Sequence, residues 1–238
     1  MKLDILAFGA HPDDVELGCS GTLAKEVALG RKVGIVDLTR GELGTRGSVE
    51  IRNQESAKAS EILGIHVREN MDFRDGFFTN DEAHQLKIIQ VLRKYQPEIV
   101  ICNAIDDRHI DHGKGSKLVS DACFLSGLRK IATEWEGSVQ QAWRPKAVYH
   151  YIQWKPIDPD LVVDITGYMD QKMASILAYG SQFYDPNSQE PETPIATKNF
   201  LDSVRYRAQD LGRIVGVDHA EGFTVERYVA VHSLRDLI

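Results

Sequence analysis

LDILAFGAHPDD (residues 3–14) sets an apolar run of strand length, residues 3–9, directly against a turn holding one imidazole, one proline and two carboxylates. The run is too short to cross a bilayer, and it lacks the long apolar core and cleavage site of a secretory leader. It reads as a buried strand feeding a polar loop. Working outward, residues 17–29 have helical spacing and 33–38 form a second buried run. Residues 49–63 are a polar, Ala-rich helix that Gly64 stops where a C-terminal cap belongs. Residues 66–71 give a third strand. The stretch 82–95 puts Ile88, Val91, Leu92 and Tyr95 on one helical face, Pro97 ends it, and EIVIC (98–102) is a fourth strand.

Strands alternating with helices predict βαβ units. The expected class is therefore α/β, a Rossmann-like three-layer fold with a mostly parallel sheet covered on both faces. In such sheets the active site lies at the carboxyl ends of the strands. Loops 10–16, 39–48 and 103–112 fall there, and they are the loops richest in His, Asp, Glu, Arg and Gly. The part from about residue 145 onward is less regular. Strands are expected at 148–152, 161–165 and 223–231, helices at 168–179 and 200–215, and an exposed Pro-rich loop at 185–198. With no internal repeat and no long linker, residues 1–238 are expected to form a single domain.

Composition narrows the function. The 238 residues are 42% hydrophobic and 26% charged, which excludes a disordered or fibrous chain. A formal net charge of −7 offers no footprint for nucleic acid or an anionic membrane, so a small polar substrate is expected. Cys19, Cys102 and Cys123 are odd in number and far apart. They read as buried reduced thiols of a cytoplasmic protein rather than as a disulfide frame.

The chemistry concentrates in two segments. In Ala10-His11-Pro12-Asp13-Asp14, Pro12 biases His11 toward an extended backbone, so the turn can aim His11 and Asp14 one way and Asp13 another. Imidazole and carboxylate are the ligands of a catalytic zinc with an open position. The plain alternative is an acidic helix cap. The second segment is Asp106-Asp107-Arg108-His109-Ile110-Asp111-His112, after the fourth strand. Its histidines, three apart, can share one side of a helical turn, with Asp111 orienting either ring. Three of the eight histidines fall in these two loops. A nucleotide-binding module would need Gly-x-Gly-x-x-Gly after the first strand, where this chain has Gly-Ala-His-Pro-Asp-Asp and two carboxylates that repel a pyrophosphate.

The pair His-Pro-Asp-Asp and His-x-Asp-His resembles the PIG-L/LmbE-type zinc-dependent N-deacetylases, together with the loop at 39–47 and Arg52-x-x-Glu55. The Arg74-Asp75-Gly76-Phe77-Phe78 and Gly180-Ser-Gln-Phe183 segments are most similar to the bacillithiol-pathway members, which deacetylate N-acetylglucosaminyl-malate. The resemblance implies that His11, Asp14 and His112 hold one Zn2+ per chain and that Asp13 is the general base. On chemical grounds His109, held by Asp111, is expected to stabilise the oxyanion as an imidazolium, together with the zinc. Arg52 would bind a substrate carboxylate, unless it is a surface Arg paired with Glu55, while Asp75 and Glu42 would contact the sugar. Mycothiol-pathway relatives carry Tyr where this chain has Asp107, so His109 or His219 would compensate for that absent phenol. Arg46 and Arg108 are expected near the site. The partner is then an amino-sugar conjugate, and the resemblance suggests a homo-oligomer of up to six copies. Deacetylation of a chitin disaccharide or hydrolysis of thiol-conjugate amides are the competing activities.

Overall fold

Alternating burial of a short apolar strand puts its even and odd side chains into different cores. The computed structural model, which describes residues 1–237, shows this at β1 (Ile5–Gly9), buried at every position. Leu6 and Phe8 enter a core shared with α3 (Glu82–Tyr95) and α4 (Ile110–Ser126). Ile5 and Ala7 enter one shared with α1 (Asp14–Ala28). β1 pairs in parallel with β2 (Val33–Thr39) on one side and β4 (Ile99–Cys102) on the other. β3 (Val67–Phe73) lies beyond β2, and β7 (Ala147–Tyr151) beyond β4, both also parallel.

Beyond β7 the direction reverses. β9 (Ala220–Val225) is antiparallel to β7 and to the edge strand β8 (Leu161–Asp164). The seven-stranded order is β3-β2-β1-β4-β7-β9-β8. A separate hairpin joins β5 (Glu134–Trp135) to β6 (Ser138–Val139). On the α1 side, α2 (Val49–Leu63), α5 (Met169–Leu177) and α6 (Lys198–Val215) complete a third apolar cluster. The sheet is thus the middle layer of three, the expected α/β architecture.

Chain order reverses between β1 and β4, because β2 and β3 extend the sheet one way and β7 the other. The loops leaving β1 and β4 diverge around a crevice at that switch point. Three local expectations shift. α1 starts at Asp14, three residues earlier than expected, so the acidic turn is part of the helix. α4 has no counterpart in the sequence reading beyond residue 112; Gly113 and Gly115 lower helix propensity there, and burial rather than propensity holds it. The last strand ends at Val225 instead of residue 231, because Phe223 already faces Leu161, the first residue of β8. Residues 227–231 are exposed. Among the described residues, no helix is long and apolar enough to cross a membrane.

Candidate active site

Asp14 sits between two imidazoles. Its Oδ2 is 3.4 Å from His11 Nδ1, and its Oδ1 is 3.1 Å from His112 Nε2. The second nitrogen of each ring meets another carboxylate. His11 Nε2 lies 3.0 Å from Asp75 Oδ1 and 3.5 Å from Asp111 Oδ2, and His112 Nδ1 lies 2.7 Å from Asp107 Oδ2. Each ring therefore has one nitrogen occupied by a buried acceptor and the other turned to Asp14, the arrangement that fixes a tautomer in a metal-binding histidine. Asp14 is further held by Asn103 Nδ2 (3.0 Å) and Gln153 Nε2 (2.8 Å).

These contacts make a strong well for positive charge. Burial works against protonation of His11, yet hydrogen bonds to Asp111, Asp14 and Asp75 hold it well above the usual histidine range. Burial likewise opposes His112, but Asp14 and Asp107 push it up to about 9. Asp14 lies well below the usual carboxylate range: burial acts against this, and His112 and His11 overcome it. A divalent cation fits the same well, with nitrogen and oxygen donors of the right kind. His11 Nδ1, Asp14 and His112 Nε2 are the atoms that would hold it. The ring nitrogens of His11, His109 and His112 also approach within 4.8 Å of one another, as do donor atoms of His11, Asp75 and Asp111.

Asp13 behaves differently. Its backbone is left-handed (φ 118°), and its side chain does not cap α1, so the plain reading of the turn as a helix cap does not describe it. The residue is buried, and Oδ2 meets no hydrogen-bond donor among the described residues. Arg52 Nη2 stands 3.8 Å away. Burial raises the Asp13 carboxyl to about 7; Arg52 opposes the rise and Asp14 adds to it. A carboxyl poised near neutrality in a cleft is suited to taking and returning a proton.

Two assignments change. The Asp111 carboxylate does not hold the His109 ring: it accepts from Gly76 N (2.7 Å), pairs with Lys114 (2.5 Å) and faces His11. His109 caps α4 through Nδ1, which accepts from Asp111 N at 3.3 Å, leaving Nε2 to carry the proton. Burial first, then the charges of His11 and His112, push its pKa below the usual histidine value. His109 is therefore a neutral N–H donor rather than an imidazolium. Its ring centroid lies 4.6 Å from that of His11 and 5.2 Å from that of His112.

Arg52 is buried, donating to Pro12 O at 3.3 Å. Glu55 is not its partner; it accepts from Ser181 N and Oγ at 2.7 and 2.8 Å. Both oxygens of Asp75 are engaged, by His11 and by Leu43 N (3.0 Å), and Glu42 accepts from Asp75 N at 2.7 Å. Glu42 thus supports Asp75 and does not line the cavity. Arg46 is buried against Ser188 (2.6 Å), and neither it nor His219 lines the cavity, so His219 does not stand in for the absent phenol. Arg108 does, with its guanidinium 4.7 Å over the Trp154 ring. The cavity itself measures about 500 Å3. His11, Asp13, Asp14, His109 and His112 line it, and Trp154 stacks on Phe200 at 5.2 Å in its wall.

The sequence reading missed Asp107, Asn103 and Gln153. Asp107 drew notice only as a departure from relatives with Tyr. Its position beside the His-x-x-His turn was the available signal.

A family model described as "PIG-L: GlcNAc-PI de-N-acetylase" matches residues 6–123. A conserved protein of Thermus thermophilus is 38% identical, over 96% of this chain and 97% of its own, with a TM-score of 0.86. Diacetylchitobiose deacetylase of Thermococcus kodakarensis is 29% identical over 189 residues, 75% of this chain and 70% of its own. The 4-oxalmesaconate hydratase of Pseudomonas putida is 26% identical over 193 residues, 74% of this chain and 73% of its own. The sheet order, the crevice at its switch point and these matches lead to one conclusion: the chain belongs to the PIG-L family of de-N-acetylases.

Proposed function

We propose that the chain hydrolyses the acetyl amide of an N-acetylglucosaminyl conjugate, foremost N-acetylglucosaminyl-malate, with one Zn2+ held by His11, Asp14 and His112. The observation that carries this reading is Asp13, a buried carboxyl without a hydrogen-bonded partner on Oδ2, raised to about 7 beside the imidazole pair. A divalent cation bound there would polarise the amide carbonyl and acidify water. Asp13 accepts the proton of the attacking water as its oxygen bonds to the carbonyl carbon. The same proton passes to nitrogen as the C–N bond breaks, and acetate and a free amine depart. His109 Nε2–H donates to the oxygen that gains charge. The Arg52 charge keeps Asp13 from rising further, so a useful fraction is ionised at neutral pH.

Two features of the wall support the substrate class. Trp154 and Phe200, stacked on one another, give the cavity an apolar aromatic wall, which suits the apolar side of a sugar ring. Arg108 presents a guanidinium that makes no ion pair among the described residues, which suits a carboxylate on the aglycone. The diacetylchitobiose deacetylase relative favours a second reading, a neutral chitin disaccharide as substrate.

The test is acetate release by Zn2+-loaded protein from N-acetylglucosaminyl-malate, diacetylchitobiose and free N-acetylglucosamine, with 4-oxalmesaconate hydration run alongside because a relative catalyses it. Acetate from the malate conjugate, strongly reduced in Arg108→Met, supports the reading. Acetate from the disaccharide alone selects the second reading. Hydration without acetate release from any conjugate refutes both.

A further inference from the structure

α1 is broken. Cys19 leaves helical geometry (φ −147°, ψ 16°) and divides α1 into a front turn, residues 14–18, and a rear rod, residues 20–28. A regular helix would bond Gly21 N–H to the Leu17 carbonyl across this point. Here Gly21 N donates to Glu221 Oε1 (3.0 Å), and Thr22 N donates to Oε2 (2.7 Å). Lys172 Nζ donates to the carbonyls of Leu17 (2.8 Å) and Glu16 (3.2 Å), and to Glu221 Oε1 at 2.6 Å. The missing helical link is rebuilt through two side chains, one from α5 and one from β9.

Each charge has the sign its position calls for. Glu221 meets the amide end of the rear rod and Lys172 the carbonyl end of the front turn. Both side chains are nearly sealed from solvent, 3% and 4% exposed, and neither lines the catalytic cavity. Gly21 admits the splice: a Cβ there would fall 2.7 Å from Ile165 Cδ1 and 3.0 Å from Glu221 Oε1. Buried ion pairs are on balance a weak source of stability, so the value of this one lies in the geometry it fixes.

That geometry is catalytic in consequence. The front turn carries Asp14 and follows directly on Asp13. We propose that Lys172 and Glu221 are positioning residues: by splicing the broken helix they set the angle of the front turn, and so hold the Asp14 carboxylate between His11 and His112. The proposal rests on the reading above only in taking this carboxylate to serve a bound cation.

The test compares Glu221→Gln, Lys172→Met and the conservative Lys172→Arg with a control, Arg93→Met. Arg93 is another buried cation that satisfies the carbonyls of Ser126, Leu128 and Ile131, at the C-terminal end of α3. Each protein is measured for Tm, for Zn2+ affinity by chelator competition, and for the visible spectrum of its Co2+ form. Glu221→Gln and Lys172→Met are expected to lose about 10- to 100-fold in Zn2+ affinity and to change the Co2+ spectrum. Lys172→Arg retains most of both, and Arg93→Met loses Tm alone. If the first two fail to fold, Glu221→Asp, which shortens the bridge by one carbon, carries the same expectation. Zn2+ affinity within twofold of wild type and an unchanged spectrum, with Tm falling as in Arg93→Met, would overturn the proposal. So would a wild type that binds no Zn2+. A wild type that binds Zn2+ but releases no acetate sinks the proposed reaction and leaves this inference standing.

Discussion

Asp107→Asn changes one atom and should invert a tautomer. Asp107 Oδ1 accepts from Arg108 N (2.8 Å) and Lys155 N (2.9 Å), while Oδ2 accepts from Trp154 N (3.3 Å) and from His112 Nδ1 at 2.7 Å. In the Asn variant the backbone amides of residues 108 and 155 keep the oxygen on their side, which turns the new NH2 group toward Trp154 N and His112 Nδ1. Nδ1 must then accept, and the ring proton moves to Nε2, the nitrogen that faces Asp14 at 3.1 Å. A charge-assisted hydrogen bond of this kind is worth about 1.5–3 kcal/mol, or roughly 10- to 100-fold in the affinity of His112 for a cation. Chelator competition with Zn2+ measures it directly, and circular dichroism checks the fold. Affinity within twofold of wild type in a folded Asp107→Asn protein would show that His112 does not bind through Nε2, and the tautomer reasoning would fall.

Asp13→Asn should retain Zn2+ affinity and lose about 10²- to 10⁴-fold in acetate release, the range for removing a general base. Because the base works only when ionised, activity should rise with pH along an acid limb above the ordinary carboxylate range and no higher than about 7. Arg52→Met should move that limb upward, since the Arg52 charge lowers the Asp13 pKa; a limb that stays put in a pH–rate profile refutes the coupling. Chelation should lower the Tm and Zn2+ restore it, by an amount that grows with the logarithm of free Zn2+; His112→Ala should show neither response. His150, 3.1 Å away, holds Glu226 below the usual glutamate range, so this pair adds stability above about pH 4.3 that is lost as pH falls through the folded pKa. The Tm gap between wild type and Glu226→Gln should therefore be open at pH 7 and close in strong acid.

Burial on both faces made β1, β2 and β4 readable, because such strands appear as continuous apolar runs. α4 escaped for the opposite reason: its inner face is built from Gly115, Ser116 and Ala122 as well as Leu118 and Val119, so hydropathy alone does not mark its period. The ligand turns were visible because each is local. Most of their supports were not, since Asp75 and Gln153 reach His11 and Asp14 from separate loops. Asp111 shows how adjacency misleads. Residues two apart on a helix do not share a face, so the carboxylate two positions after His109 turns away from that ring and toward His11. Lys172 and Glu221 lie about 150 to 200 residues beyond the carbonyls and amides they join, and nothing in either segment advertises the pairing.

The backbone at Asp13 has a practical consequence for anyone who evolves this protein. An aspartate kept at φ 118° with its carboxylate out of water sits above the lowest energy that position could reach. Glycine there would relax the chain and remove the desolvated acid together. Selection for heat tolerance with no assay for turnover would keep returning to this codon and would harvest robust, inert proteins.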